Sequence, residues 1–176
     1  MLKIQRASAL DAETLARLSA ETFVETFGSQ YPPQDLADYL AHAYTAESYR
    51  TALDEQGCAA WLLVENDETA HGYAFCGPCT LPHADVQAGD LELKRLYVRQ
   101  THQGSGWGAG LYAQAQDWML ANGPAALWLG VYSRNYGAQR FYARHGFVKV
   151  GEYLYPVGDV RDLEYILRRP VTEPAQ

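Results

Sequence analysis

The order of apolar and polar positions divides the chain into segments with strand-like and helix-like periods. Short apolar or alternating runs predict strands at 3–7, 59–65, 72–76, 91–98 and 127–131. Apolar residues three and four positions apart predict helices at 11–28, 33–44, 46–55 and 135–144, and another that ends near 121. The segments 147–155 and 161–169 predict a final pair of strands. Because helices and strands are interspersed, the pattern predicts a mixed α/β protein around one sheet.

Capping residues and prolines predict where the first three helices begin. Ser8, with Asp11 three residues later, is typical of an N-cap. Pro32 and Pro33 break the chain before the second helix, whose first turn tolerates proline. Thr45 can cap the third helix with its hydroxyl. The first third of the chain is therefore predicted to be mostly helical.

The composition is that of an ordinary globular protein, with 176 residues, 48% of them apolar and 20% charged. We expect one domain over residues 1–170 and a short C-terminal tail over 171–176. No apolar run approaches the roughly 20 residues that span a bilayer, and the polar start lacks a signal-peptide core, so no membrane partner is expected. The three cysteines are an odd number and fit a reducing compartment, so we expect a cytoplasmic location.

The net charge of −7 argues against a nucleic-acid partner, and its distribution along the chain is uneven. Residues 11–55 contain nine acidic and two basic residues, whereas residues 94–149 contain seven basic residues and one acidic residue. These segments are either solvated helix faces or surfaces that attract oppositely charged ligands.

A glycine-rich segment, Gln103-Gly104-Ser105-Gly106-Trp107-Gly108-Ala109-Gly110, follows a predicted strand and opens a predicted helix. Glycines let backbone N–H groups approach an anion, and the helix N-terminus adds partial positive charge, so the segment predicts a phosphate site. The Gly-Lys-Ser/Thr end of a P-loop is missing. A dinucleotide fingerprint lacks the acidic residue expected after the next strand, and a plain turn would not need four alternating glycines.

Three motifs in order resemble the GNAT acyl-coenzyme A-dependent N-acetyltransferases. Gln103, Gly106 and Gly108 match the family's Q/R-x-x-G-x-G/A loop, and 92–98 resembles its fourth strand. Residues 135–147 resemble its N-x-x-A-x-x-F-Y-x-x-x-G-F segment. The segment 21–27 and the helix after Pro32 are further similar to the Pai-type polyamine N-acetyltransferases within the family.

The resemblance implies an α/β fold whose mixed, mostly antiparallel sheet splays after the fourth strand, with helices on both faces. It implies acetyl-coenzyme A as cosubstrate and no metal. The pantetheine arm is expected beside Leu96, Tyr97 and Val98, and the diphosphate on the loop from Gln103 to Gly110. Asn135 is expected to contact the pantetheine arm, Ala138 to add a further coenzyme contact and Arg140 to bind the nucleotide phosphates, although an Arg140 that is merely solvated on its helix remains the alternative.

The resemblance also implies two catalytic residues for transfer to a primary amine in a ternary complex. Tyr142 matches the tyrosine that protonates the departing thiolate, and Glu92 stands where the family often holds the base. A protonated amine is not nucleophilic, so a base is needed at neutral pH. Tyr142 as a packing aromatic, and Glu92 as a strand carboxylate paired with Lys94 or Arg95, are the structural alternatives.

The acceptor is expected to be a small-molecule amine, and the acidic first third favours a polyamine such as spermidine or spermine. Glu21 and Glu25 lie one helical turn apart, and this like-charge repulsion would be relieved by a cation. Tyr31 and Asp35 are expected to extend the same substrate surface. An acidic helix that only aids solubility, another amine acceptor such as a peptide N-terminus, and a non-catalytic acyl-coenzyme A sensor remain open. Whether a homodimer forms through the last strands is likewise left open by the sequence.

Cys76-Gly77-Pro78-Cys79 copies the thioredoxin redox tetrad, but no helical pattern follows the first cysteine. With His71 and His83 the two cysteines could also form a zinc site. The third interpretation is a strand end with two ordinary thiols.

Overall fold

The computed structural model describes residues 1–55, 57–66 and 69–171 of the chain. Within them, seven strands form one sheet: β1 (Lys3–Arg6), β2 (Ala59–Val64), β3 (Ala70–Pro78), β4 (Leu91–Val98), β5 (Ala126–Tyr132), β6 (Val148–Val157) and β7 (Val160–Pro170). Five α-helices accompany them: α1 (Ala12–Phe27), α2 (Pro33–Ala43), α3 (Ala46–Asp54), α4 (Trp107–Ala121) and α5 (Tyr136–Arg144).

The strand order is β1-β2-β3-β4-β5-β7-β6. The pair β4 and β5 is parallel, and every other neighbouring pair is antiparallel. The mixed, mostly antiparallel sheet expected from the sequence is therefore confirmed.

Both faces of the sheet are covered by helices, which confirms the expected layering. On one face, Leu111 and Met119 of α4 pack with Leu127 and Leu129 of β5. On the other face, α1 and α3 cover β2 and β3 in a cluster of buried residues that includes Leu15, Leu18, Tyr49, Leu62 and Tyr73. Helix α2 completes this second layer with an aromatic cluster around Phe23, Phe27 and Tyr44. Apolar burial on two faces supplies the main stabilisation of the sheet.

The predicted caps are present, with one change at the first helix. Ser8 and Asp11 form a reciprocal capping box, but it closes a single 3-10 turn over Ala9–Asp11, and α1 begins at Ala12. Thr45 caps α3 by accepting a hydrogen bond from the Ser48 N–H at 3.1 Å.

Strand β3 is longer than predicted and extends through Pro78. Proline is accommodated because the pairing of β3 with β2 ends at Cys76, so Pro78 has no β2 partner that needs an N–H donor. Of the expected tail at 171–176, Val171 donates a backbone hydrogen bond to the Ala125 carbonyl at 2.9 Å, and residues 172–176 lie outside the described residues. Among the described residues, every helix is too short or too polar to cross a membrane.

Candidate functional site

Strands β4 and β5 pair at one end and separate at the other. Their direct partners are Leu91 with Leu127 and Glu92 with Trp128, and β4 continues for six further residues. On its other side β4 remains paired with β3 as far as Val98. The separation leaves a slot in the middle of the sheet, which confirms the splay expected after the fourth strand.

The backbone of β4 offers hydrogen-bonding groups to this slot. The Arg99 N–H donates to the His71 carbonyl at 2.8 Å, so this pair faces β3. Because antiparallel partners alternate, Leu96 and Val98 direct their N–H and C=O groups towards the slot. The Val98 carbonyl accepts a hydrogen bond from Gln103 Nε2 at 2.8 Å, so Gln103 fastens the glycine-rich loop to the strand.

The glycine-rich loop leads into the N-terminus of α4. Gly104 and Gly106 have φ values of 78° and 82°, in the left-handed region where residues with a Cβ atom are strained. Gly106 is the N-cap residue and supplies no side-chain cap, so the first N–H groups of α4 lack an intrahelical partner. The open backbone and the helix dipole together suit an anion.

Gly110 differs from the rest of this loop. Its N–H donates to the Gly106 carbonyl at 3.0 Å and is already part of the helix. A Cβ at Gly110 would lie 3.0 Å from Ile4 Cδ1, so glycine serves close packing against β1 here. The Gly110 N–H is therefore already used within the helix, and the contact of Gly110 with the diphosphate stays a prediction.

A cavity of about 410 Å³ passes through the slot and is lined from both faces of the sheet. From the α5 side, Asn135, Ala138 and Tyr142 reach it. From the α1 and α2 side, aromatic residues line it. The complete lining includes eight tyrosines: Tyr31, Tyr39, Tyr44, Tyr97, Tyr132, Tyr142, Tyr153 and Tyr155. We call this cavity the chamber. It brings together the predicted residues Tyr142, Glu92, Leu96, Tyr97, Val98, Gln103, Asn135, Ala138 and Tyr31.

Tyr142 is buried on α5 and packs against the rings of Tyr112, Phe141 and Phe147. Burial raises the pKa of Tyr142 above its ordinary value, with smaller contributions from neighbouring Tyr97 and Tyr112. Its hydroxyl is therefore protonated at neutral pH and is able to donate a proton.

Two other predicted contacts lie on α5. Asn135 caps the helix, because its Oδ1 accepts from the Ala138 N–H at 3.1 Å. Asn135 also lines the chamber. Arg140 is exposed and does not line the chamber.

Glu92 is buried at the paired end of the slot. Its Oε2 accepts from the Thr80 N–H at 3.0 Å, from the Thr80 hydroxyl at 3.3 Å and from Lys94 Nζ at 3.0 Å. The ion pair between Glu92 and Lys94, which was one of the sequence-based alternatives, is therefore present. Glu92 also lines the chamber.

A β-bulge decides which way Glu92 points. Phe75 pairs with Arg95 and Cys76 pairs with Leu93, so Lys94 is an extra residue in β4. The alternation of side chains shifts by one there, and Glu92 faces the same side of the sheet as Arg95 and Tyr97. Simple alternation along the sequence would have put Glu92 with Leu96.

The acidic residues of α1 have a protein partner outside the chamber. Arg99 binds Glu21 and lies 3.5 Å from Glu25 Oε1, and Glu25 Oε2 accepts from the Gln100 N–H at 3.1 Å. These contacts tie α1 to the residues after β4. Asp35 Oδ1 accepts from the Asp159 N–H at 2.7 Å. Of the four residues predicted for the acceptor surface, Tyr31 lines the chamber, whereas Glu21, Glu25 and Asp35 do not.

The acidic side chains that do line the chamber, besides Glu92, are Asp162 and Glu164 on β7, which were not among the predicted residues. Tyr31 donates its hydroxyl to Asp162. Tyr155 and Tyr153 lie opposite Asp162 and Glu164 on β6. The signal was present in the sequence as two acids and two tyrosines, each two residues apart, on one face of the predicted strand pair.

The cysteines do not have the surroundings of a redox pair. Cys76 is buried in β3, and burial raises its pKa well above the ordinary value. Burial also raises the pKa of Cys79 to about 11, so both groups are thiols at neutral pH. The described residues contain no group of three or more His, Cys, Asp or Glu side chains able to hold a metal ion.

Comparison with known proteins agrees with this geometry. An uncharacterised N-acetyltransferase from Lactobacillus delbrueckii subsp. lactis is 29% identical over 168 residues, 96% of each chain. One from Mycobacterium tuberculosis is 30% identical over 163 residues, 90% of this chain and 97% of its own. Among solved structures, PaiA N-acetyltransferase from Thermoplasma acidophilum in complex with coenzyme A aligns with a TM-score of 0.76, at 19% identity, over 97% of this chain and 99% of its own.

The ribosomal-protein-S18-alanine N-acetyltransferase from Escherichia coli aligns with a TM-score of 0.67, at 20% identity, over 100% of this chain and 97% of its own. Residues 15–147 match the Acetyltransferase (GNAT) family. The slot, the glycine-rich loop and this match together show that the chain belongs to the GNAT family and is an acyl-coenzyme A-dependent N-acetyltransferase.

Proposed function

We propose that this enzyme transfers the acetyl group of acetyl-coenzyme A to a cationic primary amine of the polyamine class, by direct attack in a ternary complex. The observation that carries the proposal is the chamber, whose lining includes three carboxylates and eight tyrosines beside the slot. Two cations, Lys94 and Arg95, also line it, and they already have protein partners in Glu92 and the Tyr49 hydroxyl. Carboxylates and tyrosine rings both stabilise an ammonium group, the latter by cation–π contact.

The residues along the slot fit coenzyme A. The unpartnered N–H groups at the start of α4 suit a diphosphate, and Cβ atoms at Gly104 and Gly106 would meet nothing within 4 Å, so the approach is open. The slot-facing backbone groups of Leu96 and the Val98 N–H suit an amide-bearing arm that adds like a strand. We assign supporting contacts to Asn135, Ala138 and Arg140.

Acetyl-coenzyme A supplies an acetyl group activated as a thioester. The Tyr142 hydroxyl is proposed to donate a proton to the departing sulfur, which its raised pKa permits at neutral pH. Glu92 is proposed to face the amine from the paired end of the slot.

Asp162 and Glu164 give the chamber its preference for a polycation. They are two residues apart on one face of β7, which corresponds to about 7 Å along an extended strand. This spacing is comparable to the separation of nitrogens in a short diamine. A polyamine therefore satisfies both carboxylates, whereas a monoamine satisfies one.

A thiol-release assay tests the proposal, with acetyl-coenzyme A and a panel of spermidine, spermine, a monoamine and a peptide with a free N-terminus. We expect spermidine or spermine to give the highest kcat/KM, with the mono-acetylated amine identified by mass spectrometry. Faster acetylation of the peptide would contradict the polyamine assignment. Tight acetyl-coenzyme A binding with no thiol release from any amine would favour a non-catalytic binding module.

Location and assembly are part of the same proposal. Cys58, Cys76 and Cys79 are free thiols, which supports a cytoplasmic location.

The edge strand β6 exposes Val148 and Leu154, which supports a homodimer through the last strands. Sedimentation equilibrium of the purified protein distinguishes a dimer from a monomer.

A further inference from the structure

Glu164 and Tyr153 form a hydrogen-bonded pair in the wall of the chamber. They lie directly opposite each other on β7 and β6. The Tyr153 hydroxyl donates to Glu164 Oε2 at 2.6 Å. The phenol holds the carboxylate through Oε2 from the side of β6, and the Glu164 residue lines the chamber.

A glycine in β5 makes room for this pair. A Cβ at Gly130 would lie 2.9 Å from Glu164 Oε2 and 3.0 Å from the Tyr153 hydroxyl oxygen. The φ of Gly130 is not in the left-handed region, so its backbone conformation does not demand glycine. The lack of a side chain therefore serves the close approach of Glu164.

The position of Gly130 also locates the carboxylate relative to the slot. Gly130 is two residues beyond Trp128, the last residue of β5 that pairs with β4. Glu164 thus lies where the two strands part, on the wall opposite β4. Tyr142 and Glu92 line the same chamber.

The two inner carboxylates have different partners. Glu92 Oε2 receives three donors, one of them the Lys94 ammonium. Glu164 has a neutral phenol as its donor, and in the described part of the chain no Lys, Arg or His nitrogen lies within 4.0 Å of it. Glu164 is therefore the carboxylate better suited to accept a proton.

We infer that Glu164 is the catalytic base that takes the proton from the acceptor ammonium, and that Tyr153 is the positioning residue that holds its carboxylate. This inference rests on the proposed transfer to a cationic amine and assigns the base to β7 instead of to Glu92 on β4.

The charged and titratable groups around Glu164 agree with this role. Burial raises the pKa of Glu164 above the ordinary carboxyl value, the Tyr153 hydrogen bond lowers it, and the negative charges of Asp162 and Glu92 raise it. Tyr97 and Tyr155 face it from β4 and β6. The net rise in pKa makes Glu164 a stronger base than an exposed carboxylate.

The protons and electrons of the transfer balance. Glu164 takes one proton from the ammonium and passes it to water, and the freed lone pair forms the C–N bond to the acetyl carbon. The C–S bond breaks, its electron pair stays on sulfur, and the sulfur takes a proton from Tyr142. The second proton lost by the nitrogen restores the Tyr142 hydroxyl through solvent. The net result is amide, thiol and one proton released.

The first test compares Glu164→Gln with Glu152→Gln, an exposed glutamate on β6 that pairs with Lys149. With the amine of highest activity from the panel, we expect Glu164→Gln to lower kcat about 10²-fold or more. The Glu152→Gln control should match the parent. Parent-like kcat in a folded Glu164→Gln enzyme, or a larger loss in Glu92→Gln than in Glu164→Gln, would overturn the assignment while leaving the proposed function intact.

The pH profile separates catalysis from packing. The base must be unprotonated, so kcat/KM falls as pH falls through the pKa of Glu164. Tyr153→Phe removes a hydrogen bond to the charged carboxylate, so the acidic limb should move to higher pH while the rate at alkaline pH is retained. An acidic limb that stays in place in Tyr153→Phe would assign the pair a packing role only.

A measurement that needs no turnover completes the test. The pKa of Glu164 is read from ¹³C chemical shifts of glutamate-labelled protein, with Glu164→Gln identifying the signal. We expect a pKa above the ordinary value in the free enzyme, and a decrease when spermidine is added, because an ammonium beside the carboxylate favours its charged form. An ordinary pKa that spermidine does not change contradicts the inference, whether or not any amine is acetylated.

Discussion

Asp90 and Trp128 are joined by a buried hydrogen bond of 2.8 Å from the indole Nε1 to Asp90 Oδ2. The other oxygen of Asp90 accepts from the Ala126 N–H at 2.9 Å. Asp90 immediately precedes β4, and Ala126 and Trp128 belong to β5, so one carboxylate ties the two strands at their paired end. The slot opens only two residues further along, and its closed end is thereby fixed.

Loss of this tie should destabilise the whole fold. Asp90→Ala leaves two buried N–H donors without partners, which costs roughly 2–5 kcal/mol. For a chain of this length we expect a fall in Tm of roughly 5–15 °C by circular dichroism. Asp85→Ala, at an exposed acid on the loop before β4, is the control and should leave Tm nearly unchanged. Equal Tm values for the two variants would show that the Asp90 carboxylate is not a structural tie.

Gly108→Asp tests whether the glycine-rich loop holds the diphosphate of acetyl-coenzyme A. A Cβ at Gly108 would come no nearer than 4.0 Å, to Val98 Cγ2, and its φ is not positive, so the backbone accepts a side chain. A carboxylate there would repel a diphosphate at close range, and we expect acetyl-coenzyme A affinity to fall at least about tenfold. Isothermal titration calorimetry measures it, and Gly108→Ala is the matched control for size. If Gly108→Asp binds as tightly as Gly108→Ala, the diphosphate does not lie on this loop.

Tyr142→Phe tests the proton donor. The hydroxyl is needed when the sulfur departs, so kcat should fall about 10²-fold or more while the KM for acetyl-coenzyme A changes little. Because burial raises the pKa of Tyr142, the parent should show no loss of activity from its ionisation near neutral pH. Tyr136→Phe, at an exposed tyrosine of the same helix, should match the parent in steady-state kinetics. Proportional changes in kcat and KM would instead indicate a packing role for Tyr142.

Much of the architecture could be predicted because local signals and the global fold agree. The Thr45 cap and the strand pair β6 and β7 follow from side-chain chemistry that acts within a few residues. The glycine-rich loop was identifiable because positive φ at Gly104 and Gly106 restricts the residue type.

The acceptor side could not be predicted in the same way, because it depends on pairing between distant segments. Glu21 and Glu25 are held by Arg99, more than seventy residues later, which no periodicity in α1 reveals. The direction of Glu92 depends on the bulge at Lys94, and a one-residue shift reverses the face of a strand. A role for Glu164 can be inferred only once the fold shows that Gly130 and Tyr153 lie beside it.

Glu21→Gln combined with Glu25→Gln tests the structural role of the acidic helix. Both carboxylates contact Arg99, so the double variant should lose about 0.5–1.5 kcal/mol of stability, as for partly exposed ion pairs. Urea unfolding measures this loss. The KM for spermidine should stay at the parent value, because neither residue lines the chamber. A large increase in this KM with unchanged stability would return the two glutamates to the acceptor site.

Asp162→Asn tests whether the β7 carboxylates bind the acceptor amine. Asp162 lines the chamber and lies two residues before Glu164. Removing one negative charge weakens the attraction for a polycation more than for a monoamine, so the spermidine KM should rise about three- to tenfold and the monoamine KM less. The spermidine KM of the parent should increase with ionic strength, because salt screens charges over about 8 Å at physiological concentration, and this dependence should flatten in the variant. Asp159→Asn, at an exposed acid in the neighbouring turn, is the control and should behave as the parent. If Asp162→Asn leaves both the spermidine KM and its salt dependence unchanged, the carboxylates of β7 do not hold the acceptor, and the polyamine assignment loses its structural basis while membership of the GNAT family stands on residues 15–147.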